Sequence, residues 1–284
     1  MPSTPTSAAS STRARGSAVR QLHRNGVRIA WESRGSGTPV ILIHGLSSSG
    51  ANWHRVTPLL AEHHRVIAID NRGTGHSDAP RGRYCFQTMA RDALAVLDAE
   101  GIPAAHVLGI SMGSCIAQEL AVIAPERLTS MVLAASNPGP PHSKRPRPGI
   151  LLRVMAGVFR DYEAFLRDLI PYTYHPSTPR DVVEEDMKVA FAHPPSKRGV
   201  TGQTLGALGW DRYRELPGIH VPTLVLHGAD DMLDPVVNAE RLASRIAGAE
   251  LRILERASHQ VFTDQTAEAT SAVLDFFSRA RAVA

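Results

Sequence analysis

His106-Val107-Leu108-Gly109-Ile110-Ser111-Met112-Gly113-Ser114-Cys115 is the stretch that decides how this chain folds. Residues 106–110 form a short apolar run of strand length, and residues 112–123 carry the pattern of a helix. Ser111 stands between them with a glycine two residues away on either side. A tight strand-to-helix turn leaves no room for side chains at positions 109 and 113, and it projects Ser111 Oγ above the edge of the sheet. The helix N-terminus adds free backbone N–H groups and the positive end of a dipole. Ser111 therefore reads as a nucleophile on a sharp elbow.

Working outward, residues 18–24 and 27–33 alternate around Asn25-Gly26, a hairpin signal. Short apolar runs at 39–43, 65–69, 129–134, 222–226 and 250–254 join 106–110 as buried strands of a mostly parallel, twisted sheet. Helical patterns at 86–100, 112–123, 237–246 and 265–280 alternate with them. This alternation predicts a doubly wound α/β domain with helices on both faces, whose ligands bind beyond the carboxyl ends of the strands. Strand signals vanish between residues 138 and 216. Prolines at 138, 140, 141, 146 and 148 mark an exit from the sheet, and Tyr162, Phe165, Leu166 and Leu169 follow at helical spacing. Eight of the fifteen aromatic residues fall there, too many for a solvated loop. The expected organisation is a disordered tail over 1–18, a core over 19–137 and 217–284, and a helical cap over 138–216.

A serine nucleophile needs a base. His259 lies in the loop after the last strand and before the last helix, a loop that opens at the same sheet edge as Ser111. The base needs a carboxylate to fix its tautomer, and Asp230, Asp231 and Asp234 all follow the strand at 222–226. The chain order of serine, acid and histidine matches neither of the two protease orders. Negative charge developing on a carbonyl oxygen needs donors. The candidates are the N–H of Met112, directly after the nucleophile, and the N–H of Leu46 in the loop His44-Gly45-Leu46-Ser47-Ser48-Ser49-Gly50. The Gly-rich segment 70–78 lacks phosphate-loop spacing and reads as a structural turn.

Composition narrows the function. A formal net charge of +4, with no basic stripe interleaved with aromatics, argues against nucleic acid. No apolar run is long enough for a membrane span. Cys85 and Cys115 make no disulfide framework, and no Cys/His set has zinc spacing. No metal or organic cofactor is implied. The tail has no apolar signal region, so a cytoplasmic protein is expected, as monomer or homodimer. The partner is a small, apolar, ester-like molecule, with Trp53, Phe159 and Trp210 as candidate contacts; Met112, Phe165, Tyr172 and Tyr174 are further candidates for the pocket wall.

The motifs at 44–50, 70–78, 109–113 and 227–231 (His227-Gly228-Ala229-Asp230-Asp231), with Ser258-His259, resemble the α/β-hydrolase superfamily over about residues 20–280. They are most similar to the group of esterases, enol-lactonases, cofactor-free haloperoxidases and aclacinomycin methylesterase-like enzymes, which share Ser-Met-Gly at the elbow and a helical cap between strands six and seven. The resemblance implies Ser111, Asp231 and His259 as the triad, with Leu46 and Met112 as the oxyanion hole. Ser258 replaces the glycine usual before the histidine, and the frequent Glu-x-Pro after it is absent. Ser111 argues against epoxide hydrolases and haloalkane dehalogenases, which use aspartate at the elbow. The expected reaction is hydrolysis of a carboxylic ester or lactone. The alternatives are C–C bond hydrolysis, acyl transfer or perhydrolysis on the same triad, or a ligand-binding or cyclase role.

Overall fold

A computed structural model describes residues 18–157 and 160–281 of the chain. The tail expected over residues 1–18 lies outside these but for Ala18, and so does Phe159. Asn25 and Gly26 both take positive φ, 50° and 74°, as a two-residue hairpin turn demands. They join β1 (Arg20–Arg24) to β2 (Val27–Arg34) in antiparallel register. β2 also runs antiparallel to β4 (His64–Asp70). From there the sheet is parallel, through β3 (Thr38–Ile43), β5 (Ala105–Ile110), β6 (Leu128–Ala134), β7 (Thr223–Gly228) and β8 (Glu250–Leu254). The spatial order is β1-β2-β4-β3-β5-β6-β7-β8.

The period of two along each strand builds a core on each face. Ile41 and Ile43 pack with Phe86, Met89 and Ile116 of α2 (Phe86–Ala99) and α3 (Met112–Ile123). Val40 and Leu42 point the other way, to Leu60 of α1 (Thr57–Ala61) and to Phe276 and Phe277 of α10 (Thr266–Arg281). Each such side chain, fully buried, contributes about 1.5–3 kcal/mol. The chain passes from β3 outward to β4, then crosses back to β5 on the other side of β3. The carboxyl ends of β3 and β5 thus flank the point where strand order reverses, and a crevice opens there.

Among the described residues four α-helices stand between β6 and β7: α4 (Pro148–Ala156), α5 (Tyr162–Thr173), α6 (Arg180–Ala192) and α7 (Lys197–Ala207). Asp161 caps α5 by accepting from Ala164 N–H at 3.1 Å. α7 rests on the core through a face of small residues. Gly199, Gly202 and Gly206 lie so close to Gly73 and Tyr84 that a Cβ at any of them would overlap those atoms. Tyr84 N–H donates to Gly202 O at 2.9 Å. Gln203, fully buried, accepts from Ser47 N–H at 2.8 Å and donates to Arg72 O at 3.0 Å. Two more helices, α8 (Val237–Arg245) and α9 (Val261–Asp264), complete the core. Among the described residues no helix is long and apolar enough to cross a membrane.

The close approach of α7 yields a stability test. Gly206→Ala puts a methyl group into Tyr84 O, so it lowers the urea-unfolding free energy by about 1–3 kcal/mol. Gly218→Ala, with nothing within 4 Å of the new Cβ, changes it by less than about 0.5 kcal/mol.

Candidate active site

The elbow forms where the sequence places it. Ser111 has φ 54° and ψ −122°, outside the regions an ordinary residue prefers. A Cβ on Gly109 would overlap the Gly113 backbone, and one on Gly113 would overlap Ile43 O at the end of β3. Ser111 N–H continues the ladder by donating to Ala134 O at 2.9 Å. Its carbonyl accepts from Ser114 N–H at 2.9 Å and from the Ser114 hydroxyl at 2.5 Å. The strand-end loop of β3 crosses directly above, close enough that a Cβ on Gly45 would sit 3.2 Å from Ser111 Cβ. The N–H groups of Leu46 and Met112 meet no acceptor among the described residues.

Of the three competing carboxylates, Asp231 meets the histidine. His259 Nδ1 lies 2.8 Å from Asp231 Oδ2, with the Asp231 side chain fully buried. The other oxygen, Oδ1, accepts from the N–H groups of Leu233 and Asp234, both at 2.8 Å. The backbone of the turn therefore holds the carboxylate in place. Burial pushes the Asp231 carboxyl up, but the His259 charge and hydrogen bond outweigh it and leave it lowered. Burial pushes His259 down, but the charge and hydrogen bond of Asp231, with the charges of Asp234 and Asp264, more than offset that, so the imidazole is raised above its ordinary 6.5. Asp230 is instead a partly exposed neighbour of His175.

Ser111 and His259 share the wall of a cavity of about 240 Å³, with His44, Leu46, Leu151, Val154, Phe165, Leu166, Leu169 and Asp234 also in its lining. No hydrogen bond joins Ser111 Oγ to the His259 ring. The histidine loop is fastened at two points: Ser258 N–H donates to Asp264 Oδ2 at 2.7 Å, and Gln260 N–H donates to Thr173 O of α5 at 2.8 Å. Burial pushes the His44 imidazole down to about 3, so it stays neutral. Its Nδ1 accepts from Gly45 N–H at 2.8 Å, which leaves the proton on Nε2. The segment 70–78 is the turn its spacing suggested: Asp70 ties Gly50 N–H and His76 N–H at 2.8 Å each, and Asn71 Nδ2 donates to His44 O at 3.1 Å.

The aromatic contacts expected from sequence are placed elsewhere. Trp53 is 1% exposed and packs edge-on between His44 and Phe262, in the core beneath the loop. Trp210 donates from Nε1 to buried Glu119 at 2.7 Å and fastens the chain's return from the helices to α3. Met112 also packs in the core, and Tyr172 lies under Arg153. Of the further candidates, Phe165 reaches the cavity wall; Tyr174 lines a smaller recess beside it. Sequence reasoning missed two contributors. His227, read as a strand-end histidine, places Nε2 3.4 Å from Asp231 Oδ2 while donating to Asp234 O at 2.6 Å. Asp234, set aside as a competing acid, stands on the cavity wall itself. Its position three residues past Asp231 on a tight turn was the one available hint.

Comparison with known proteins agrees with the fold. A family model for the alpha/beta hydrolase fold matches residues 38–266. RutD of Variovorax paradoxus, provisionally named a carbamate hydrolase, is 35% identical over 252 residues, which cover 87% of this chain and 94% of that protein. A thermophilic esterase from Thermogutta terrifontis superposes with a TM-score of 0.81 at 26% identity, covering 93% of this chain and 99% of its own. The enol-lactonase of Burkholderia xenovorans superposes at 0.79 and 26% identity, covering 91% and 100%. The chain belongs to the alpha/beta hydrolase fold family and is an enzyme of the hydrolase class.

Proposed function

We propose that the protein hydrolyses a carboxylic ester or lactone through an acyl-enzyme on Ser111. The observation that carries this reading is that a serine on a strained turn and a carboxylate-paired imidazole line the same cavity. The names of the related proteins support it, since carbamate, ester and enol-lactone hydrolysis all begin with attack on a carbonyl carbon.

In this mechanism Ser111 Oγ turns toward His259 Nε2 when substrate binds; such bonds are often long in unliganded sites and tighten in the Michaelis complex. The hydroxyl attacks the carbonyl carbon and its proton passes to Nε2. Asp231 stabilises the imidazolium that forms. The carbonyl oxygen, now anionic, accepts from the N–H groups of Leu46 and Met112, at the N-terminus of α3. His259 returns the proton to the leaving oxygen, and the C–O bond to the alcohol breaks. Water, deprotonated by the same imidazole, then releases the acid and restores Ser111. The helices of residues 138–216 act as a cap whose Leu151, Val154, Phe165, Leu166 and Leu169 receive an apolar group. The cavity is below the roughly 300–1,000 Å³ of drug-sized sites, which favours a small or medium substrate.

Ser111→Ala keeps the melting temperature and lowers hydrolysis of p-nitrophenyl butyrate by at least about 10³-fold; full activity in that variant would end the proposal. The base must be neutral to work, and its pKa is raised. The acid limb of kcat/KM therefore lies above pH 6.5, with activity lost as pH falls through it. Asp231→Asn removes the main raising charge and leaves burial to act, so the limb moves to lower pH while kcat falls by about 10⁴-fold. A limb that stays in place in the Asn variant would show that another group sets it.

A further inference from the structure

The cavity wall over Ser111 carries a carboxylate that no cationic side chain among the described residues hydrogen-bonds. Among the described residues that line the cavity, Asp234 is the one carboxylate, and there is no lysine or arginine. Its two oxygens each accept one neutral amide N–H: Asn137 Nδ2 on Oδ2 at 2.9 Å and Asn238 Nδ2 on Oδ1 at 3.1 Å. Among the described residues no cationic side chain forms an ion pair with it. His227 donates to the Asp234 backbone carbonyl, and His259 is committed to Asp231. The nearest like charge is Asp231, whose Oδ1 holds the Asp234 N–H. Burial and that charge push the Asp234 carboxyl up to about 6, so at neutral pH it is still mostly ionised.

A carboxylate accepts up to four hydrogen bonds, and two amides leave half of that capacity open. A substrate hydroxyl would fill one position without touching the charge. A protonated nitrogen fills it and supplies the missing counter-charge, while a second carboxylate would bring a third anion beside Asp231 and Asp234. We propose that Asp234 determines specificity by pairing with a cationic nitrogen on the ester substrate, and that it turns away anionic substrates. This rests on the ester-hydrolase reading above and names the class of ester that reading leaves open.

Three methyl esters of matched length test it: those of ε-aminocaproic acid (cationic), heptanoic acid (neutral) and adipic acid as its monoester (anionic). Calorimetry on Ser111→Ala enzyme measures binding without turnover, and pH-stat assays on the wild type measure kcat/KM. The cationic ester binds Ser111→Ala about ten- to hundredfold tighter than the anionic one, with the neutral ester between. In Ser111→Ala/Asp234→Asn the three converge to within about twofold. Equal binding of the three to Ser111→Ala overturns the proposal, whatever the fate of the Asn variant. So does a cationic preference that survives Asp234→Asn with the fold intact by melting. Charge-selective binding with no wild-type turnover of any ester would sink the hydrolase reading and leave the Asp234 anchor standing. Turnover with no charge selection does the reverse.

Discussion

The Ser111 backbone, held at φ 54° and ψ −122°, is the constraint on which the site depends. A non-glycine residue there costs about 1–3 kcal/mol and persists only when its surroundings fix it. They fix it from three sides. The missing Cβ atoms of Gly109 and Gly113 let strand, turn and the end of β3 close on one another. Ala134 O takes the Ser111 N–H, and Ser114 takes the Ser111 carbonyl. The result is a hydroxyl presented at a helix N-terminus beside two unengaged N–H groups, at the place where the order of strands reverses. Leu46, Asp231 and His259 each reach this point on a loop that follows a strand end.

Burial would neutralise every ionisable group around that point, and the partner of each decides the outcome. Asp231 stays charged because two imidazoles and two backbone N–H groups face it. Asp234, three residues on and half-buried, is hydrogen-bonded by two neutral amides alone, and desolvation together with the Asp231 charge raises its carboxyl to about 6. His44 has a backbone N–H but no counter-ion hydrogen-bonded to it, and it drops to about 3. Neighbouring buried groups within one small region are thus pushed in different directions by their partners. For the acyl transfer proposed above, a raised His259, a lowered Asp231 and a neutral His44 in the loop bearing Leu46 suit chemistry near neutral pH.

Much of this is legible in the sequence because it is local. Asn25-Gly26 can adopt little but the hairpin turn, and the apolar runs at strand spacing fall within a residue or two of the observed strands. The elbow is written in five consecutive residues. The choice of acid came from the resemblance and meets the histidine at 2.8 Å. The cavity wall was not legible, because its residues come together only through packing of the helices between β6 and β7. Aromatics were the natural candidates for an apolar pocket, yet Trp53 and Trp210 serve as struts, one under the β3 loop and the other against α3. Aliphatic residues of α4 and α5 line the cavity instead. Asp234 was invisible as a wall residue because sequence spacing does not say which of three neighbouring carboxylates points inward.

The same helices also hold the loops that bear Leu46 and His259. Gln203 of α7 grips Ser47 in the loop bearing Leu46, and the Tyr162 hydroxyl of α5 donates to Ser47 O at 3.2 Å. Thr173, at the other end of α5, accepts from Gln260 beside His259. Asp264, next to the histidine loop, accepts from His175 N–H at 3.1 Å and from the Thr178 hydroxyl at 2.5 Å, both beyond α5. A displacement of α5 is therefore felt at both the loop bearing Leu46 and the loop bearing His259. Phe165 and Leu169 of that helix line the same cavity as Ser111 and His259. α5 thus touches the cavity, the loop bearing Leu46 and the loop bearing His259, and ties the three to one another.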